Sequence, residues 1–442
     1  MPSAFRERAL RLVEQLHTEC ELFEDYIDLP TCASWFADSS DTLVLVVEPE
    51  EHRSSMCSVL AYALAWQGNR QLILVCPEGH ESKTMERLPW INRPIAVHTY
   101  GADGMLSEAM MPMRCDESLA AAGDLKYRYV RPLRSHDLGT ASDLRDLGLH
   151  LLLGWLDSKS DELERTGRSS YEAWTCAGQR MLSLKRAKRS GAVSITAGVA
   201  YTSALPVGEK PAFEITVTKD SPLSENDLGS IKRRVNDACK RRLDGDPTYP
   251  EHRMQATLLP GGLKELGIVK AEREYPAWRS IKGSGLIDFL GVDKENRLHV
   301  IETKANPHDE EVVLQALDYA VWVQANQAEI RATMRPAWDP ADRDEGVVID
   351  FICARRIRKS QSAASNELLE PYGDAIGPYM SAQLDALSSD FERHIWLVDD
   401  LAKSPCRPKQ LPNDEISEDH PWVAKQIRRW PPQRKRRRPF GE

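Results

Sequence analysis

Gly285-Leu-Ile-Asp-Phe-Leu-Gly291 and Arg297-Leu-His-Val-Ile-Glu-Thr-Lys304, with Asn296 in the turn between them, read as two β-strands. Charge interrupts both. Asp288 lies between Ile287 and Phe289, while Glu302 and Lys304 follow Val300 and Ile301 and, two positions apart, leave their strand on the same face. Working outward, residues 268–278 alternate like a preceding strand, and residues 309–327 read as a helix with Val312, Val313, Leu317, Ala320 and Val321 on its apolar side. Residues 347–353 form a further strand, and Pro250 opens a helix on the other side of the segment. The order is helix, three strands, helix, strand.

Burying one charge without a partner costs several kcal/mol, so two carboxylates and an ammonium in apolar strands need compensation. A divalent metal supplies it. Carboxylates are hard oxygen ligands suited to Mg²⁺ (or Mn²⁺), which keeps waters and binds substrate phosphate. Such a metal lowers the pKa of a bound water and neutralises charge that develops at phosphorus, and a nearby ammonium orients the attacking hydroxide. These residue types together suit phosphodiester hydrolysis.

Asp288 followed fourteen positions later by Glu302-Thr-Lys304 resembles the D…(D/E)-x-K signature of the PD-(D/E)XK nuclease superfamily, whose core has the same element order. The resemblance spans about residues 249–355 and extends to uncharacterised bacterial nuclease-like proteins with a Glu-His…Gln opening and a Leu-Gln-x-Leu-Asp-Tyr helix, matched here by Glu251-His252…Gln255 and Leu314-Gln-Ala-Leu-Asp-Tyr319. It implies a restriction-endonuclease-like αβββαβ core with a mixed central sheet. Asp288 and Glu302 are then metal ligands, and Lys304 positions the nucleophilic water. Gln315 and Tyr319, at i and i+4 on one helix face, match the Q-x-x-x-Y motif of the exonuclease and repair branch and meet substrate or the metal-bound Glu302. The first-helix acid is best matched by Glu251, with Glu265 and Glu272 as alternatives. Ile287 stands where the superfamily has proline.

The expected activity is that of a Mg²⁺-dependent deoxyribonuclease, in defence against foreign DNA or in repair. RNA remains open as a substrate, as does assembly into a homodimer. The competing readings are an inactive nuclease fold serving as a nucleic-acid-binding or assembly subunit, and an N-terminal nucleotide sensor that gates the nuclease.

Before this segment, residues 5–24 suggest an amphipathic helix, and apolar runs at 42–47, 71–76 and 95–100 enclose a helical stretch at 54–66. Such alternation predicts βαβ units with a parallel sheet covered on both faces. The α/β chain therefore divides into a Rossmann-like domain (residues 1–135), a helical and β-rich middle (136–245), the nuclease-like domain (246–400) and a proline-rich basic tail (401–442). Within the middle region, residues 139–189 read as mostly helical, 192–201 and 212–218 as strands, and 223–243 as a helix. That last helix carries Lys232, Arg233, Arg234, Lys240, Arg241 and Arg242, a charged face for which solvation is the simplest account. A P-loop at Lys83-Thr84 is set aside, since Pro77 and Ser82 occupy both glycine positions.

Formal net charge is -9, yet residues 425–442 hold eight basic residues and a single acid. The cluster Arg428, Arg429, Arg434, Lys435, Arg436, Arg437 and Arg438 is too charged and proline-rich to pack alone, and it suits phosphate contact through counterion release. No apolar run approaches the roughly 20 residues that span a bilayer, and no secretory signal opens the chain, so a cytoplasmic location is expected. Nine scattered cysteines, never spaced as C-x-x-C, point to reduced thiols.

Overall fold

The structure, a computed structural model, describes residues 2–16, 21–22, 27–29, 32–38, 41–48, 56–125, 137–168, 171–198, 213–243, 250–259, 261–280, 283–305, 311–334, 346–354, 378–398 and 407–411. The basic cluster 428–438 lies outside them. The protein is mixed α/β with three sheets and two compact units, one of residues 1–128, 264–399 and 408–442, the other of residues 129–263 and 400–407.

The first unit begins with α1 (Pro2–Gln15), β1 (Glu21–Leu22), β2 (Ile27–Leu29), β3 (Cys32–Asp38), β4 (Thr42–Val47), α2 (Met56–Gln67), β5 (Gln71–Pro77), α3 (Ser82–Arg87), β6 (Ile95–Tyr100) and α4 (Cys115–Asp124). The apolar runs β4, β5 and β6 lie side by side in parallel. Leu43, Leu45, Leu72 and Leu74 face α2, whereas Val44, Val46, Ile73 and Val75 face Ala9, Leu12 and Val13 of α1. Both faces are covered, as uninterrupted strands require. The opening helix stops at Gln15, well before residue 24, because Glu21–Leu22 pairs with β3. Cys32-Ala-Ser-Trp-Phe-Ala-Asp38 has no period-2 pattern; its ladder to β4, from Ser34↔Val47 to Asp38↔Leu43, makes it a strand.

The second unit holds α5 (Ala141–Asp146), α6 (Leu149–Asp157), β7 (Glu164–Arg168), β8 (Tyr171–Cys176), β9 (Gln179–Arg186), β10 (Val193–Ala197), β11 (Phe213–Val217), α7 (Glu225–Leu243) and α8 (Pro250–Leu258). Its five strands form an antiparallel sheet in the order β11-β10-β9-β8-β7. One side of α7, through Ile231, Val235, Ala238 and Cys239, packs with Leu182, Leu184, Val193 and Ile195. The expectation of mostly helix over 139–189 is corrected here, since three strands fill 164–186. The reason lies in the β8–β9 turn. Ala177 and Gly178 both have positive φ, 43° and 77°, as a two-residue primed turn demands. Alanine in place of the usual asparagine or aspartate hides that turn. Gly178 is further required because a Cβ there would come within 1.9 Å of the His252 carbonyl oxygen.

The chain then returns to the first unit with β12 (Ile268–Ser280), β13 (Gly283–Asp293), β14 (Leu298–Lys304), α9 (Val312–Ala325), α10 (Gln327–Met334), β15 (Val347–Ala354), α11 (Pro378–Ala386), β16 (Glu392–Val398) and β17 (Lys409–Leu411). Six strands follow in sequence order: β12, β13 and β14 antiparallel, β14, β15 and β16 parallel, β17 antiparallel. Over residues 268–354 the expected three strands, helix and strand are present in a mixed sheet, with α10 as an additional helix before β15.

Both α2 and α9 are apolar nearly all round, so neither can be satisfied by one sheet alone. Each also packs on α11, and a single buried core runs from Leu45 and Leu60 through Leu317 and Leu384 to Ile349. Residues 56–125 and 264–399 are further tied by backbone bonds, Asn92 N to Ala386 O at 2.7 Å and Ser388 N to Trp90 O at 2.8 Å. Arg87 of α3 donates two hydrogen bonds to Asp318 of α9, at 2.9 and 2.8 Å, with both side chains buried. Cys57, Cys76, Cys176, Cys239 and Cys353 are free and buried, and Cys115 is free and exposed. Among the described residues no helix is long and apolar enough to cross a membrane.

Candidate active site

The β13–β14 ladder runs from Val292↔Leu298 to Phe289↔Ile301 and stops. One more step would set Asp288 opposite Glu302. Instead the Asp288 carboxylate takes the place of a backbone acceptor: its Oδ2 accepts the Thr303 N–H at 2.8 Å and the Thr303 hydroxyl at 2.7 Å. Across the other edge of β13, the ladder to β12 passes from Arg273↔Phe289 to Tyr275↔Ile287, skipping the Glu274 and Asp288 step. Glu274 has φ of 52°, a left-handed conformation that costs a non-glycine residue about 1–3 kcal/mol. The alternation breaks here as well. Ile287 and Leu290 join the same core beneath α9, although an unbroken strand would turn them to opposite faces.

Glu302 is 1% exposed. Its side chain is held within the fold by a further interaction. Lys304, two positions on, is half-buried on the same face of β14. On α9, Gln315 Nε2 donates to the Tyr319 hydroxyl at 3.4 Å. Tyr319 is buried against β13 at Gly285, where a Cβ would meet the phenol oxygen at 2.1 Å. The absence of a side chain at Gly285 thus seats the tyrosine on the strand that carries Asp288.

Asp288 is therefore brought to the Glu302-Thr303-Lys304 segment and Tyr319 to β13, with Gln315 bonded to the Tyr319 hydroxyl. Glu251 lies on α8, in the second compact unit. Of its alternatives, Glu265 sits in the 3-10 turn Gly262–Leu266, and Glu272 is half-buried on β12 opposite Leu290. Burial pushes the Glu272 carboxyl pKa up, against the opposing effect of Lys270.

The described residues contain no group of three or more His, Cys, Asp or Glu able to enclose a metal. Asp288 and Glu302 still offer hard oxygen donors, with Asp288 Oδ1 outside the Thr303 bonds and the Glu302 carboxylate buried on the adjacent strand. This donor set fits Mg²⁺ or Mn²⁺, which needs one or two carboxylates and fills its remaining positions with water and phosphate.

A second ionic network occupies the opposite face of β14. His299 Nδ1 lies 2.6 Å from Asp350 Oδ2 and Nε2 lies 3.1 Å from Asp293 Oδ2. Asp350 also accepts from Trp396 Nε1 at 2.8 Å and lies 3.3 Å from His394 Nδ1. Arg297 joins Asp293 to Glu392, with 2.7 Å contacts to each. Burial alone would raise the Asp350 pKa, but hydrogen bonds from His299, His394 and Trp396 outweigh it and hold the carboxyl at about 2. Burial likewise opposes protonation of His299, and Asp350 and Asp293 overcome it, so its pKa is raised. Sequence reasoning missed this cluster. Its signal was available in Val347-Val-Ile-Asp-Phe-Ile-Cys-Ala354, a wholly buried strand with one carboxylate.

Lys83, the lysine of the rejected P-loop, contacts Glu86 at 2.8 Å and Asp318 at 3.3 Å. It serves the Arg87–Asp318 pair. No family model matches the sequence, and no curated protein matches it.

Proposed function

We propose that this chain is a metal-dependent nuclease of the PD-(D/E)XK kind that hydrolyses phosphodiester bonds of DNA, built on a restriction-endonuclease-like core with a Rossmann-like N-terminal layer. The observation that carries the reading is the break in β13. There Asp288 is bonded to Thr303 of the segment Glu302-Thr303-Lys304, while α9 sets Tyr319 against the same strand at Gly285, with Gln315 bonded to it.

In this reading Asp288 and Glu302 hold the cation, which when bound supplies charge neutralisation at phosphorus and an acidified water. Thr303 fixes the Asp288 carboxylate through two hydrogen bonds, so that one oxygen is oriented and the other is left for the ligand. Lys304 places an ammonium two residues from Glu302, suited to orienting a nucleophile or bonding phosphate. Tyr319 holds the Gln315 amide by its hydroxyl, presenting a donor and acceptor to substrate. The basic cluster 428–438 adds attraction to phosphate.

The test is a Mg²⁺ and Mn²⁺ cleavage assay on circular and linear DNA, with RNA in parallel. Cleavage of circular DNA that requires Lys304 identifies an endonuclease, and cleavage of linear DNA alone an exonuclease. The absence of metal-dependent cleavage on every substrate overturns the reading. One observation favours an inactive nuclease fold as the second reading: no third acidic or histidine ligand joins Asp288 and Glu302 among the described residues. The same assay separates the two.

A further inference from the structure

The apolar side of α7 is seated on the antiparallel sheet of the second unit, so its cationic side turns outward. Arg233, Arg234, Lys240 and Arg241 are all exposed. Together they line an open groove of about 800 Å³ that also includes Phe213 of the edge strand β11, and among the described residues Asp237 is its single acid. Arg234 lies 5.8 Å from the Phe213 ring centroid, a cation–π contact that holds the guanidinium along the groove.

None of these four cations forms an ion pair among the described residues. Some basic side chains of this unit are matched, as Arg186 is by Asp143, Lys219 by Asp146 and Arg165 by Glu172, whereas the four on α7 are gathered on one groove. What sets these four apart from an ordinary solvated face is that they converge on one open concavity with one acid among its described lining residues. The pairs 233/234 and 240/241 are two helical turns apart, about 10.5 Å along the helix axis, a span equal to about three base-pair rises of about 3.4 Å along the axis of a DNA duplex. Three of the four are arginines, whose planar fork bonds phosphate oxygens in pairs.

We propose that this groove binds the DNA backbone, as a phosphate-binding surface separate from the carboxylate site and from the basic tail. The proposal rests on the reading of the chain as acting on DNA, and it names where the second unit holds that substrate. Such a surface adds affinity without sequence preference.

Binding of the full-length protein to a fluorescent DNA duplex of about 20 base pairs, followed by anisotropy in EDTA across a salt series, tests it. The variant Arg233→Gln/Arg234→Gln/Lys240→Gln/Arg241→Gln should flatten the plot of log K against log salt by about 3 to 4 units and weaken binding at least about tenfold at low salt. Arg233→Gln/Arg234→Gln should show about half that change, and Arg233→Lys/Arg234→Lys should keep the wild-type slope. An unchanged slope and affinity in the quadruple variant overturns the proposal. So does wild-type protein binding a polyglutamate peptide of similar length as tightly as DNA, which would make the groove a site for an acidic protein. Because EDTA removes catalysis, these outcomes are independent of the cleavage assay. Lys304→Ala protein that fails to cleave yet keeps the full salt slope would separate the two sites directly.

Discussion

Asp288 accepts two donors through one oxygen, and that bond changes how the residue should be tested. Alanine would leave the buried Thr303 N–H without its acceptor, at a cost of about 1–3 kcal/mol, mixing stability with chemistry. Asparagine keeps a carbonyl oxygen for Thr303 and removes the charge. Asp288→Asn is therefore expected to melt near wild type and to lose at least about 10²-fold in metal-dependent cleavage. Lys304→Ala, on a half-buried side chain at the end of β14, should do the same. Differential scanning fluorimetry and single-turnover cleavage check both, and wild-type turnover by either variant removes that residue from the site. The three charges were legible in the sequence because each breaks a two-residue hydrophobic alternation. The kink around them was not. Glu274 carries no mark of its left-handed backbone, which arises where β12 and β13 together reverse their faces.

β14 is charged on both faces, with Glu302 and Lys304 on one and His299 on the other. Its His299 face makes stability depend on pH from two sides. Asp350, held at about 2 against an unfolded value of about 3.9, contributes roughly 2 kcal/mol that is present above pH 4 and lost as pH falls toward 2. His299 has a raised folded pKa, so its contribution is complete below the unfolded value of about 6.5 and is lost as pH rises through the folded one. Urea melts should accordingly show a plateau between about pH 4 and 6.5, with decline on both sides. His299→Asn should lower the plateau and flatten the alkaline decline; an unaltered alkaline arm would show that His299 is not the titrating group. Asp350→Ala should cost about 3–5 kcal/mol, since it strands a buried imidazolium. Residues 268–354 were predictable as elements because long apolar periods survive in them. The network was not predicted, because Asp293, His299, Asp350 and His394 come from four separate strands or strand ends, and only the register of the sheet joins them.

In the first unit, the buried Arg87–Asp318 pair joins α3 to α9 across 231 residues of chain. Burial would lower the arginine pKa, and Asp318 instead holds it raised. Removing Arg87 leaves the buried Asp318 facing Lys83 at 3.3 Å, so Arg87→Ala should destabilise by about 3 kcal/mol, the lower end for a broken buried pair, measurable in guanidinium melts. A loss under about 1 kcal/mol would mean the pair is effectively solvated. Metal binding should act on stability in the opposite direction. If Asp288 and Glu302 share a cation, Mg²⁺ or Mn²⁺ at about 100 times its dissociation constant adds about 2.7 kcal/mol, seen as a rise in Tm that EDTA reverses and Asp288→Asn diminishes. A Tm indifferent to both metals favours the inactive fold. The sequence by itself determined the α/β class, the parallel β4–β5–β6 strands and the helix-flanked β12–β15 run, because these follow from local periodicity and charge breaks within single elements. Only the tertiary structure decided that residues 56–125 share a core with 264–399, that residues 164–186 are strands, and that α7 walls a groove. Those outcomes depend on which apolar faces find partners distant in the chain, and that pairing is set by packing, which no local pattern encodes.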